Sequence, residues 1–210
     1  MQAEYEAEII VKNIKDFYQK YKNLIFTSVI SFFVICVITM SYQWYHYRYE
    51  SRASADFFVI MNNDQDEQKI SQVKQFVNDY PSSPYAFLAK LILISDDLQN
   101  GNWQGVDMQT KEIISANAPD FIIDQAYFLQ ARRFLATKQP QKSLDALNKI
   151  KSNNQVGIYI IRGLAEKELG HYKKADETLL KANKLLYNIN PESSLKNFIW
   201  YQQSSVPYHE

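Results

Sequence analysis

Apolar side chains recur along most of the chain at intervals of three and four. Val73, Phe76, Val77 and Tyr80 follow that spacing, as do Leu144, Leu147 and Ile150, and again Leu179, Ala182, Leu185 and Leu186. Residues three and four apart share one face of an α-helix, so these segments are predicted as amphipathic helices, each with a stripe to bury. No sustained apolar-polar alternation demands a strand. The pattern is all-α.

One stretch breaks the amphipathic rule. Leu24 to Tyr49, "LIFTSVISFFVICVITMSYQWYHYRY", is apolar around the whole helix and carries no charge until Arg48, in a chain where 22% of residues are charged. A hydrocarbon core about 30 Å thick needs about 20 helical residues, and Leu24 to Trp44 supplies them. Phe17, Tyr18 and Tyr21 precede the run, while Tyr42, Trp44, Tyr45, Tyr47 and Tyr49 follow it. Such rings suit two membrane-water interfaces.

A cleaved export signal is the rival reading, because Ala53-Ser54-Ala55 fits an A-x-A cleavage site. That site lies well beyond Met40, the run is longer than a signal's apolar region, and Glu4, Glu6, Glu8 and Asp16 stand where a short basic segment belongs. The pattern therefore predicts an uncleaved signal anchor. Cys36 follows Phe33, Val34 and Ile35 rather than small residues, so it reads as a packing or lipid-facing side chain. Lys12, Lys15, Lys20 and Lys22 precede the span, against Arg48 and Arg52 after it, which places the N-terminus in the cytoplasm. The expected division is a short cytoplasmic head over 1–23, an anchor over 24–47 and an exported domain over 48–210.

Within the exported part the turns are regular. "NNDQDE" at 62–67, "NGNWQG" at 100–105, "TKQPQ" at 137–141 and "LGHYK" at 169–173 each divide a pair of helices. "YPSSP" and "ANAPD" separate pairs, with Pro84 and Pro119 placed to open the next helix. Four helical hairpins follow, with a terminal helix from Asn190. The inner turns recur every 32 to 38 residues, the period of a helical repeat.

Charge and candidate chemistry add mostly exclusions. A formal net charge of +0 and the lack of a basic stripe argue against nucleic acid. The single cysteine leaves the exported part without an intrachain disulfide. His46, His171 and His209 are scattered without metal-ligand spacing. Asp64 and Asp66 suggest a calcium loop, but Glu67 replaces its turn glycine and Val73 its closing carboxylate. Asp96-Asp97 and Glu166/Glu168 read as solvated helix faces, and Tyr127, Phe128, Phe134, Tyr159 and Tyr172 as packing residues. No GxSxG, CxxC or phosphate loop is present. No catalytic, cofactor-binding or metal residue is assigned, no cofactor is expected, and a membrane-bound hydrolase would need a pocket of converging polar groups.

The last hairpin, "YIIRGLAEKELGHYKKADETLLKA", sets Gly163 and Ala175 twelve apart and places Gly170 and Tyr172 at its turn. It resembles a tetratricopeptide repeat, whose small residues admit close helix approach. Tyr127, Ala131, Phe134, Ser143, Leu147 and Ile150 fall at matching offsets in the preceding unit, with Pro140 in the turn-aromatic position. In the unit before that, Gly101, Trp103 and Val106 fit, while Ile94 stands where a small residue is usual.

As a whole, the head "EYEAEIIVKNIKDFYQKYKN", the single span and the degenerate repeats, with "VKQFVNDYPSSPYAFLAKL" among them, resemble YfgM-type ancillary subunits of the bacterial SecYEG translocon. The resemblance implies a single-pass inner-membrane protein with a periplasmic repeat solenoid. It implies partners in the SecYEG translocon and in periplasmic chaperones such as PpiD, with lipid around the anchor and no enzymatic turnover. A general envelope scaffold for another inner-membrane complex is the alternative.

Overall fold

The computed structural model describes residues 2–63, 66–116, 118–152, 155–189 and 195–204. Among them are nine helices and no strand: α1 (Gln2–Met61), α2 (Asp66–Asp79), α3 (Pro84–Gln99), α4 (Trp103–Ser115), α5 (Asp120–Ala136), α6 (Pro140–Leu147), α7 (Val156–Glu168), α8 (Tyr172–Ile189) and α9 (Leu195–Ser204). Their contacts divide the chain into two units, Met1–Arg52 and Ala53–Glu210.

The first unit is the greater part of α1. Phe26, Phe32, Phe33, Val34, Ile35, Val37 and Ile38 are all exposed. A water-soluble fold does not leave so continuous an apolar surface bare. Phe26–Met61 contains a stretch long and apolar enough to cross a membrane, and none of that stretch is buried within the protein. Arg48 lies over the Trp44 ring at 4.6 Å, and Lys20 over Tyr21 at 5.5 Å. Both pairings are suited to an interface, where a cation can snorkel along an aromatic neighbour.

The second unit takes the last turns of α1 as the first helix of its first hairpin. Ala53 and Ile60 are buried with Val73 and Phe76 of α2 and Ala89 and Leu93 of α3. Phe57 meets the rings of Phe76 at 5.5 Å and Tyr85 at 5.6 Å. Lys69 Nζ donates to the Met61 carbonyl at 2.9 Å, satisfying an acceptor at the end of α1. Asp64, weighed above as a calcium ligand, lies outside the described residues.

Three further hairpins follow, α3/α4, α5/α6 and α7/α8, and α5 packs against both α3 and α7. The starts of α3 and α6 obey the local rules. Ser83 caps α3, accepting from the Tyr85 N–H at 3.3 Å, and Pro84 occupies the first helical position. Pro140 does the same for α6, so its place in the turn-aromatic position is a helix start. Their turns share one conformation: Gly101, Lys138 and Gly170 each sit two residues beyond the first helix of their hairpin, with φ of 69°, 57° and 78°. Glycine adopts that left-handed region freely; lysine does not. Ile94, which departs from the small-residue pattern, is fully buried with Val106, Ile113 and Ile122. The terminal helix is described from Leu195, so the expected start at Asn190 lies outside the described residues. Ile199 of α9 packs with Leu179, Ala182 and Leu186 of α8.

Candidate protein-binding surface

The last three hairpins are locked by contacts between residues twelve apart. At Gly163 the two helices approach so closely that a Cβ would stand 2.6 Å from Leu179 Cγ and 3.4 Å from the Ala175 carbonyl oxygen. The same offset pairs polar groups elsewhere. Ser143 Oγ donates to the Ala131 carbonyl at 2.8 Å in the third hairpin, and Thr178 Oγ1 donates to Glu166 Oε2 at 2.7 Å in the fourth. Gln109 Nε2 donates to Asp97 Oδ2 at 2.9 Å in the second. A small or hydrogen-bonding residue at this crossing lets the backbones meet without a void.

The carboxylates are consequently more structural than their sequence setting indicated. The solvated-face reading fails for Glu166, which is fully buried. Lys174 Nζ stands 3.3 Å from Glu166 Oε1, outside hydrogen-bonding geometry, so that oxygen has a cation nearby but no hydrogen bond. Glu168 does face solvent and pairs with Lys138 at 2.8 Å. Asp97 is half-buried and accepts from Asn102 Nδ2 at 2.8 Å as well as from Gln109, tying the turn to both helices. Asp96 accepts from Asn100 Nδ2 at 3.1 Å.

Asp124 on α5 had no mark in the sequence, yet it fastens α5 to the segment that leads from the third hairpin into the fourth. It is buried and accepts from the Lys151 N–H at 2.9 Å, the Ser152 N–H at 3.0 Å and the Ser152 hydroxyl at 2.7 Å. Burial pushes its pKa up. The hydrogen bonds from Lys151 and Ser152, with the nearby Lys151 charge, outweigh that and hold it below the ordinary aspartate value.

Of the residues weighed for chemistry, His46 and His171 are exposed and belong to separate units, and His209 lies outside the described residues. No group of three or more potential metal-ligating side chains occurs among the described residues. Tyr127, Phe128 and Phe134 pack against the third hairpin's core and Tyr159 against the fourth's. Tyr172 is half-buried and lines a cavity.

That cavity, about 850 Å³, lies where α3, α5 and α7 end and α8 and α9 approach. Leu98, Leu135, Leu164 and Tyr172 supply its apolar surface; Arg132, Lys138, Lys167 and Glu168 supply its charge. Gln202 of α9 closes one side, its carbonyl and side-chain oxygens accepting from Lys167 Nζ at 3.3 and 3.2 Å. A second surface is apolar and exposed: Leu195, Phe198, Trp200 and Tyr201 on α9, with Tyr187 and Ile189 on α8.

Residues 15–184 match the model of the tetratricopeptide repeat-like domain family. The chain belongs to that family. Its match begins ahead of the apolar run and ends within α8, so the family model takes in the span together with the four hairpins. No curated protein and no solved structure matches the chain. Tetratricopeptide repeat-like domains are protein-protein interaction scaffolds, typically without catalysis of their own.

Proposed function

We propose that the protein is a membrane-anchored scaffold of the bacterial protein-export machinery, an ancillary subunit of a SecYEG-type translocon that presents periplasmic chaperones to emerging chains. The head over 1–23 lies in the cytoplasm, the anchor over 24–47 spans the inner membrane, and the repeat domain from 48 faces the periplasm. The observation that carries this reading is the presence, on one chain and within one family match, of a lipid-compatible span and a repeat domain built to bind protein. Its charge bias and its likeness to YfgM-type subunits supply the orientation and the partners. Anchoring confines the binding surface near the channel exit, raising effective concentration without requiring tight affinity.

The test is a mild-detergent pull-down of the full chain from its native membrane, read by mass spectrometry. Enrichment of translocon subunits and of a PpiD-type chaperone over an unrelated single-span protein is expected. Enrichment of a different inner-membrane complex would replace the translocon with that complex, and the protein would be a general envelope scaffold.

A further inference from the structure

The cavity among α3, α5, α7 and α9 is positively biased in a chain of zero net charge. Among the described residues three cations, Arg132, Lys138 and Lys167, line it against a single carboxylate, Glu168. Arg132 is exposed, and no hydrogen bond or ion pair engages it among the described residues. Lys138 faces Glu168 across an exposed ion pair. Such pairs contribute little, so an incoming carboxylate can displace Glu168 at small cost. Lys167 is held by the two oxygens of Gln202, the kind of acceptor a bound peptide would supply.

The backbone bears on the same point. Where the second and fourth hairpins put Gly101 and Gly170 in the left-handed region, the third puts Lys138 there, on the wall of this cavity. A glycine would adopt that conformation more readily, so Lys138 holds its turn at a cost in backbone strain. Leu98, Leu135 and Leu164 lie beside these charges and can receive one apolar side chain.

We propose that this cavity binds an acidic segment of a partner protein, with an apolar side chain on the leucines and flanking Asp or Glu carboxylates on Arg132 and Lys138. Arg132 offers a carboxylate its planar two-pronged fork. Gln202 of α9 occupies Lys167 when the site is empty and gives way when the segment enters. The proposal rests on the scaffold reading for there being protein partners, and adds their chemistry and their seat.

The test uses the full chain in phosphatidylcholine nanodiscs and fluorescence anisotropy of a labelled peptide repeating Glu-Leu-Asp, with Gln-Leu-Asn and Lys-Leu-Lys repeats as comparators. The acidic peptide is expected to bind about tenfold tighter than the neutral one, with affinity falling as salt rises. Arg132→Glu should weaken binding about tenfold, Gln202→Ala should tighten it, and Lys111→Glu, at an exposed position of α4, should leave it unchanged. Equal affinity for acidic and neutral peptides overturns the proposal. So does unchanged binding in Arg132→Glu with its helical circular dichroism intact, or equal competition by a single-stranded RNA oligomer. Partners captured by the native protein and kept by Arg132→Glu would overturn this site while leaving the scaffold reading in place; peptide binding with no translocon partner would do the opposite.

Discussion

Gly163 and Leu179 are in contact across the α7/α8 crossing, with no room for a methyl group between them. A Cβ at Gly163 would lie 2.6 Å from Leu179 Cγ and 2.8 Å from its Cδ2, and Leu179 is fully buried and cannot swing aside. Gly163→Ala gains up to about 1 kcal/mol of helix propensity, but overpacking costs roughly 1 to 3 kcal/mol. The clash is expected to win. Gly163→Leu should lie at the upper end of that range, and both show as lowered denaturation midpoints. Lys173→Ala is the proper control, since Lys174 is the cation beside buried Glu166. A midpoint unchanged by Gly163→Leu would mean the crossing is not as close as this.

Glu166 and Thr178 make a prediction of opposite form. Removing one partner strands the other in the core, whereas removing both leaves an apolar contact. Thr178→Val should cost roughly 1 to 3 kcal/mol, because a buried carboxylate loses its one hydrogen bond. Glu166→Met/Thr178→Val should be less damaging than the sum of the single changes. A double-mutant cycle by chemical denaturation measures the coupling; simple additivity would show that the pair does not act as a unit.

Asp124 sets an acid dependence. Its folded pKa is depressed, so its contribution is fully present above the unfolded aspartate value, near 3.8, and is lost as pH falls through the lower folded value. Asp124→Asn should therefore cost roughly 1 to 3 kcal/mol at neutral pH, where a charged acceptor with three donors is replaced. The gap between wild type and variant should narrow below about pH 4. Denaturation midpoints at neutral and acid pH decide this, and a gap that widened on acidification would contradict the assignment.

The hairpins were legible because turns are local. Each polar break, Pro84 at a helix start and Gly163 twelve residues from Ala175 are signals carried within about a dozen residues of chain. Asp124 was illegible for the opposite reason: its donors lie 27 and 28 residues away, and a carboxylate on an amphipathic helix looks solvated until the segment after α6 closes over it. Glu166 could have been found. Thr178 stands twelve residues after it, the offset that joins Gly163 to Ala175, and that register places both side chains between the helices. The cavity required the terminal helix, whose position depends on Ile199 and α8 and on no local motif.

Membrane topology is tested by fusion. With four lysines before the span and two arginines after it, a reporter active only outside the cytoplasm should work when joined after Glu210 and fail when joined before Met1. The reverse pattern would remove both the orientation and the translocon proposal. The mature protein should also retain its N-terminus. Ala53 is buried in the first hairpin within an unbroken helix, so cleavage after Ala55 would take a core residue away. Finding Asp56 as the first residue would establish a cleaved signal.

Tethering makes the most demanding prediction about function. The packed unit begins at Ala53, so a periplasm-directed fragment lacking residues 1–47 keeps every core contact of the repeats and should fold. What it loses is confinement: a scaffold of modest affinity held at the membrane meets its partners at an effective concentration that a freely diffusing one reaches only at high abundance. The fragment should therefore complement a deletion poorly at native expression and partly when overexpressed, with growth under export stress and client aggregation as readouts. Fusing it to an unrelated single span of the same orientation should restore function, because the anchor's task on this mechanism is position. Full activity of the soluble fragment at native abundance would defeat tethering. Failure of the re-anchored fragment would instead show that the native span makes specific contacts of its own, for which exposed aromatics such as Tyr42, Trp44 and Tyr47 would be the first residues to exchange.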